Sequence, residues 1–379
     1  MSVNFDYISP ELRRIKEPGE SISHKCVVEL KCSELPDGYV SSFANWDAMG
    51  GAISSDRECL VDDPWKNDAS FFDFESAVIE HKKVIYLGNI QNCFGHYFTD
   101  NLRKVWFLKT FQARKLLNEG TEIVYTTDKA PLLPVAFEIW KMAGVDLSQA
   151  RLIDKLTRFD VVYVPDNCFI EPKYKMFTPE WSEMVQNIKM NALKNKNGAI
   201  GLNNSLSRRV YLTRVRLDKG GKTEIGEKEI VRAFEKEGFE VVSPEQLSIC
   251  DQIRLMNDCS YLVATEGSVA HLSVFCKPKT NVVILCKANY ENGYQEVIND
   301  YADLNVTYIE SHKSIMASKE APWGGPFYLC VTKYLENYLG RHIPHVPYWL
   351  KPSYWKYTRS FLYRSYKRIK KSIKIVIGR

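Results

Sequence analysis

The sequence predicts an α/β protein with two units, each a mostly parallel sheet covered by helices. Strand-like and helix-like segments alternate over residues 122–165 and again over 208–285, the rhythm of parallel strands joined by crossover helices. An Asn/Gly/Ser-rich polar stretch, residues 196–207, separates the two series and reads as a linker. With 379 residues, 45% of them hydrophobic and 26% charged, the chain is long enough for two cores and has a globular composition.

The first unit is expected over residues 1–195. Its opening 60 residues mix short strand-like pieces such as CVVEL with loops rich in Gly, Asp and Ser, and no chemistry attaches to them. SAVIEHKKVIYL, 76–87, places two apolar pieces around a charged centre and reads as a hairpin. In GNIQNCFGHYFTDNLRKVWFLKTF, 88–111, helical spacing from His96 puts Phe98, Leu102, Val105 and Leu108 on one side and His96, Asp100 and Arg103 on the other. A histidine one turn before an aspartate suits acid/base work, because the carboxylate fixes the imidazole tautomer and raises its basicity. The same spacing also fits an amphipathic helix with a solvated polar face. The loop of Gly88, Asn89, Asn92 and Gly95 favours the chemical reading, since it lets another group approach the helix start. EIVYT is then a strand, PLLPVAFEIWKMAG a helix, RLIDK and FDVVYVP further strands, and 178–195 a helix with Thr178 as N-cap and Pro179 at its first position.

The second unit is expected over 208–310. It reads strand (VYLTR), helix (EKEIVRAFEKEG), strand (FEVVSP), helix (SICDQIRLMNDC), strand (YLVATE), short helix (SVAHLSVFC) and strand (NVVIL), a doubly wound sheet that binds ligands outside the carboxyl ends of its strands. Polar clusters fall after three of these strands: Thr213, Arg214 and Arg216; Ser243, Pro244 and Glu245; and Glu266, Gly267 and Ser268. In the last, Ser268 reads as an N-cap whose helix start suits a phosphate or carboxylate, or as an ordinary capped turn, with His271 one turn later. Residues 311–348 are expected to return to the first unit.

The net charge of +5 is unevenly spread. From Trp349 onward the chain carries ten lysines and arginines and no acidic residue, so the rest is net acidic. This tail, 349–379, places Leu362, Tyr366, Ile369, Ile373 and Val376 on one stripe among basic residues, as in helices that lie on anionic membranes. The ten cysteines show no CxxC pair or Cys/His ligand spacing and read as buried, reduced thiols. The first twenty residues contain no apolar core of a signal peptide, and nowhere do about 18 apolar residues run together. A cytoplasmic protein, peripheral at the inner face of the cell membrane, is the expectation.

GHYFTDNLRKVWFL, VYLTRVRL, EKEIVRAFEKEGFEVVSPEQLSICDQIRLM and VATEGSVAHLSVF stand in the order, and with the character, of the conserved blocks of glycosyltransferase family 61. The chain resembles its bacterial capsule and O-antigen branch across roughly residues 88–285. One departure stands out: where many members have His-Gly-Ala, this chain has Glu266, Gly267 and Ser268, and its histidine comes later, at His271. The resemblance implies two Rossmann-like domains in the GT-B arrangement and inversion at the anomeric carbon without a required metal or other cofactor. It also implies a nucleotide-sugar donor, UDP-linked, held mainly by the C-terminal domain, and a saccharide or lipid-linked saccharide acceptor. Thr213, Arg214, Arg216, Gln252, Gly267, Ser268 and His271 would then line the donor site, the arginines and the helix start neutralising the diphosphate, with Glu245 on the ribose. His96 or Asp100 would serve as base, with Glu266 as the rival. A dehydrogenase-like protein is disfavoured because no GxGxxG opens either unit, and a nucleic-acid-binding module because the body outside the tail is acidic.

Overall fold

The computed structural model describes residues 1–17, 23–45, 48–58, 69–170, 175–195, 208–217, 224–315 and 325–377. The linker at 196–207 therefore lies outside the described residues. In chain order the elements are β1 (Ser2–Tyr7), α1 (Pro10–Lys16), β2 (Cys32–Pro36), β3 (Tyr39–Ser41), β4 (Gly51–Ile53), β5 (Val78–Ile90), α2 (Phe111–Asn118), β6 (Glu122–Thr127), α3 (Pro134–Ala143), β7 (Arg151–Leu152), β8 (Thr157–Pro165), β9 (Phe169–Ile170), β10 (Met176–Phe177) and α4 (Pro179–Lys194). There follow β11 (Arg208–Leu212), β12 (Glu224–Ile225), α5 (Lys228–Lys236), β13 (Glu240–Val242), α6 (Ile249–Asp258), β14 (Cys259–Thr265), β15 (Asn281–Cys286), α7 (Gly293–Tyr301), β16 (Asn305–Glu310), β17 (Phe327–Tyr328), α8 (Lys333–Leu339) and α9 (Pro352–Ile377).

The chain divides into two compact units, Met1–Ser21 with Ala199–Gln295 and Ala302–Arg379, and Ile22–Gly198 with Glu296–Tyr301. The second of these is built on a seven-stranded sheet in which β5 lies between β6 and β8, parallel to both, while β2 and β3 pair antiparallel with β8. Its core gathers Val40, Val84, Tyr86, Val124, Phe159 and Val162. The hairpin expected at 76–87 is instead one thirteen-residue strand, β5. Its charged centre stays in the strand because the register with β8 shifts between Glu80 and Lys83, and burial begins only at Val84.

A second correction concerns residues 94–109, which form three 3-10 turns, Phe94–Phe98, Asp100–Leu102 and Val105–Lys109, rather than one α-helix. The backbone leaves helical space at Thr99, φ −114 and ψ −109, and Asn101 pins the strand end by bonding both the N–H and the C=O of Gln91, at 3.0 and 2.8 Å. The apolar side and, on the polar side, Asp100 and Arg103 are consequently buried, while His96 is half-buried. Thr178 precedes α4 as expected, but its hydroxyl donates to Glu180 at 2.5 Å instead of accepting from the helix.

The other unit holds a wholly parallel sheet, ordered β1-β16-β15-β14-β11-β13. Alternating residues of its strands, Tyr211, Val263, Leu285 and Ile309, meet Ile230 and Phe234 of α5 and Leu335 of α8 in one core. The opening strand β1 extends this sheet, and Leu329, Val331 and Leu335 share its core. The N-terminal residues and the described part of 311–348 are thus grouped with the parallel sheet, whereas the sequence placed both with the first series. Strand pairing across the whole length of the chain decides this, and no local spacing reports it. Among the described cysteines Cys93 is exposed, contrary to expectation, and Cys26, Cys32 and Cys250 are half-buried; all are free thiols.

A two-stranded ribbon of β12 and β17 sits beside the sheet. Directly after β12, Gly226 has φ +102, and a Cβ there would lie 2.1 Å from the Leu329 carbonyl oxygen. Gly226→Ala is expected to destabilise the protein by about 2 kcal/mol or more, because strain and a backbone clash coincide. Urea unfolding checks it, an unchanged midpoint being the contrary result.

Candidate functional site

Strands β13, β11, β14 and β15 are parallel neighbours, so the chain leaves all four at one edge of the sheet. Thr213 and Arg214 follow β11, Ser243 to Glu245 follow β13, Glu266 to Ser268 follow β14, and Lys287 follows β15. An open pocket lined by Ser2, Asn4, Tyr261, Asn281 and Asn305 lies toward the amino ends of the strands, the edge that parallel sheets do not use for ligands.

The organising group at the carboxyl edge is Glu224 of β12. Its buried carboxylate accepts from Arg214 Nη1 at 2.7 Å, Lys287 Nζ at 2.8 Å and the Thr265 hydroxyl at 3.5 Å. Burial alone would push this carboxyl up, but Lys287 and Arg214 outweigh it and hold it below its ordinary value. One carboxylate thus steadies two cations. Gly267 makes room for one of them: it has φ +116, and a Cβ would stand 3.0 Å from Lys287 Nζ.

Glu227 lies beside this trio. It accepts from Tyr211 Oη at 3.1 Å and from the Arg214 N–H at 3.2 Å. Burial and the neighbouring Glu224 raise its carboxyl to about 7, against the opposing pull of Thr213, Tyr211 and the Arg214 amide. Arg214 is therefore held at its backbone by Glu227 and at its guanidinium by Glu224.

The turn at 266–275 differs from expectation. Its helix is a six-residue 3-10 segment, Ala270–Phe275, preceded by Val269, so Ser268 does not occupy the cap position. The Ala270 and His271 N–H groups both donate to the Gly267 carbonyl, at 2.8 and 3.2 Å, and so close the turn on itself. His271 is buried with its ring 5.8 Å from that of Tyr294. Glu266 is fully buried, and its Oε1 accepts from Lys16 Nζ at 2.6 Å. Lys16, from α1, also donates to the Tyr290 carbonyl at 3.0 Å and lies 5.1 Å from the Tyr308 ring centre. Arg216, Glu245 and Gln252 gather at the turn after β13. Arg216 donates to Gln246 at 3.1 Å, Gln252 donates to the Leu247 carbonyl at 3.1 Å, and Glu245 is exposed.

In the other unit, Asp100 is buried and fully engaged. His96 Nδ1 lies 2.6 Å from Oδ1, Thr99 donates to Oδ1 at 3.0 Å, and Arg103 Nη2 donates to Oδ2 at 2.8 Å. Burial pushes the carboxyl up, but His96, Arg103 and Thr99 outweigh it and bring it down to about 2. An ionised carboxylate only accepts, so it fixes a proton on Nδ1 and turns Nε2 away from the pair. The His96 side chain is 20% exposed, against 1% for Asp100. The i, i+4 spacing foresaw the contact, although it is made across the break between two 3-10 turns.

Lys287 escaped the sequence reading although it follows a strand of the same sheet, and the rule applied to the other three strands would have found it. Glu224, Glu227 and Lys16 left no such signal: Glu224 falls in a charged stretch between recognisable elements, Glu227 reads as the first residue of an ordinary helix, and Lys16 lies in a segment without evident chemistry.

The raised carboxyl of Glu227 has a consequence for pH. Between about 4.5, its ordinary value, and about 7 the folded state holds a proton that the unfolded chain releases, so stability falls as pH rises through that window. The loss is expected to be on the order of 3 kcal/mol, and Glu227→Gln should flatten it. Urea unfolding across the window checks the slope; equal slopes in the two proteins would contradict it.

A family model described as Glycosyltransferase 61 matches residues 94–283, half of the chain. The match takes in His96, Asp100, Arg214, Glu224, Glu227 and Glu266, and leaves Lys16 and Lys287 outside. No curated protein matches the chain. Because the match covers half of the chain, the chain belongs to glycosyltransferase family 61 and is a glycosyltransferase.

Proposed function

We propose that the protein is an inverting glycosyltransferase of the GT-B class that works without a metal. It moves a sugar from a UDP-sugar to a saccharide acceptor in the synthesis of a bacterial surface polysaccharide, capsule or O-antigen. The observation that carries this reading is the pair of cations held by Glu224. Arg214 and Lys287 share one carboxylate, at 2.7 and 2.8 Å, at the carboxyl edge of a parallel sheet. Together they retain positive charge where such sheets bind nucleotides, and they suit a diphosphate whose charge grows as it leaves. In this reading the two side chains supply the charge that meets the diphosphate.

In direct displacement the acceptor oxygen bonds to the anomeric carbon as the bond from that carbon to the diphosphate oxygen breaks. The acceptor proton goes to a base and UDP departs with the electron pair. His96 is suited to be that base, because it is partly exposed and its Nδ1 proton is fixed by an ionised carboxylate. Asp100 at about 2 is too weak a base and acts through His96 as a positioning residue. Glu266 is fully buried and tied to Lys16, which suits a structural role.

Arg214→Ala and Lys287→Ala are expected to weaken UDP-sugar binding about tenfold or more. His96→Ala should lower kcat by roughly 100- to 10,000-fold with donor binding little changed. Calorimetry with UDP-sugars and transfer assays on capsule or O-antigen oligosaccharides check these effects. If no nucleotide sugar or nucleoside diphosphate raises the melting temperature, the donor assignment falls.

A further inference from the structure

Trp349, Leu350, Trp355, Leu362, Tyr363, Tyr366 and Ile369, close together near the C-terminal end, are all exposed. In α9, Trp355, Leu362, Tyr366 and Ile369 are 60–62% exposed. At about 100° per residue these four positions fall within an arc of roughly 60° on the helix. The root of α9 packs through another side. Tyr357 is fully buried with Tyr328 and Cys330, and Tyr354 and Phe361 close around it. By the same count those three positions stand about 90–150° from the apolar arc. Lys351 at the start of the root pairs with Glu229 of α5, and the Tyr357 hydroxyl accepts from the Ile315 N–H. The helix is thus fastened by one side and presents its apolar stripe on another.

Basic residues flank that stripe. Lys356, Arg359, Lys367 and Lys370 lie beside it at helical spacing, and the sequence from Trp349 onward has no carboxylate. Trp349 and Leu350, just before the helix, are also exposed. Among the described residues no helix is long and apolar enough to cross a membrane. A row of Trp, Leu, Tyr and Ile has no use against a phosphate backbone, whereas a basic flank along one side of an apolar stripe, with Tyr363 exposed among its lysines, matches a sheet of anionic headgroups over acyl chains.

We propose that α9 docks in the plane of an anionic bilayer, with the Trp355, Leu362, Tyr366 and Ile369 face at headgroup depth and the flanking lysines and arginines over lipid phosphates. Docking holds the protein peripherally at the inner face of the cell membrane, where a lipid-linked saccharide acceptor would be presented. It rests on this surface alone and does not depend on the donor assignment.

The test is sedimentation of the full chain with vesicles of phosphatidylcholine alone or mixed with phosphatidylglycerol. Binding to the mixed vesicles is expected, about tenfold or more above that to phosphatidylcholine. Leu362→Glu with Ile369→Glu should abolish it without lowering the melting temperature, since both residues are exposed. Tryptophan fluorescence of the wild type should be quenched by brominated lipid. Equal binding by wild type and variant, or no binding to the anionic vesicles, would overturn the proposal. So would binding of RNA without vesicle binding, which would make α9 a nucleic-acid arm. A UDP-induced rise in melting temperature, measured without vesicles, reports separately on the donor site.

Discussion

The buried carboxylate of Glu224 is the constraint on which the carboxyl edge of the parallel sheet depends. An ionised carboxylate without partners in such a place costs several kcal/mol, and here Arg214 and Lys287 meet it at 2.7 and 2.8 Å. Each partner has its own support. Glu227 holds the backbone of Arg214, and Gly267 leaves the space into which the Lys287 ammonium fits. The β12–β17 ribbon that presents Glu224 is itself closed by the approach of Gly226 to Leu329. Burial therefore does two jobs at this edge: it makes the pairing obligatory and it keeps the cations in one place.

The same logic governs the cluster in the other unit, with the opposite emphasis. Asp100 is as buried as Glu224, yet its partners include a histidine that reaches solvent. Where Glu224 gathers cations, Asp100 orients a base. Both carboxyls stand below their ordinary values despite burial, whereas Glu227, without a cation of its own and next to Glu224, goes the other way to about 7. Where cationic partners are present they outweigh burial, and where none is, burial and a like charge set the sign of the shift.

The alternation of strands and helices, the His96–Asp100 contact and the convergence of three strand ends were all legible in the sequence. They depend on spacings of a few residues, and local periodicity reports such spacings faithfully. Local spacing failed where a neighbour overrode it. The EHKK centre of β5 reads as a turn but is carried through by a shifted register with β8. Residues 94–109 read as one helix but break at Thr99, since Asn101 is committed to Gln91. Ser268 is not the cap residue, because the 3-10 segment begins one residue later, after Val269.

By itself the sequence determined the α/β class, the alternation of strands and helices over 208–285, the basic stripe of the tail and the carboxyl-edge positions of Arg214 and Glu266, because all of these follow from periodicity and strand order. Only the tertiary structure decided which charges meet. Lys16 reaches Glu266 across 250 residues and Lys287 reaches Glu224 across 63, pairings imposed by the stacking of parallel strands and the need of each buried carboxylate for a cation. Within the TEGS turn, that need makes Gly267 the residue that admits Lys287 and locks Glu266 to Lys16. The positive charge at the edge is carried by side chains that distant strands deliver.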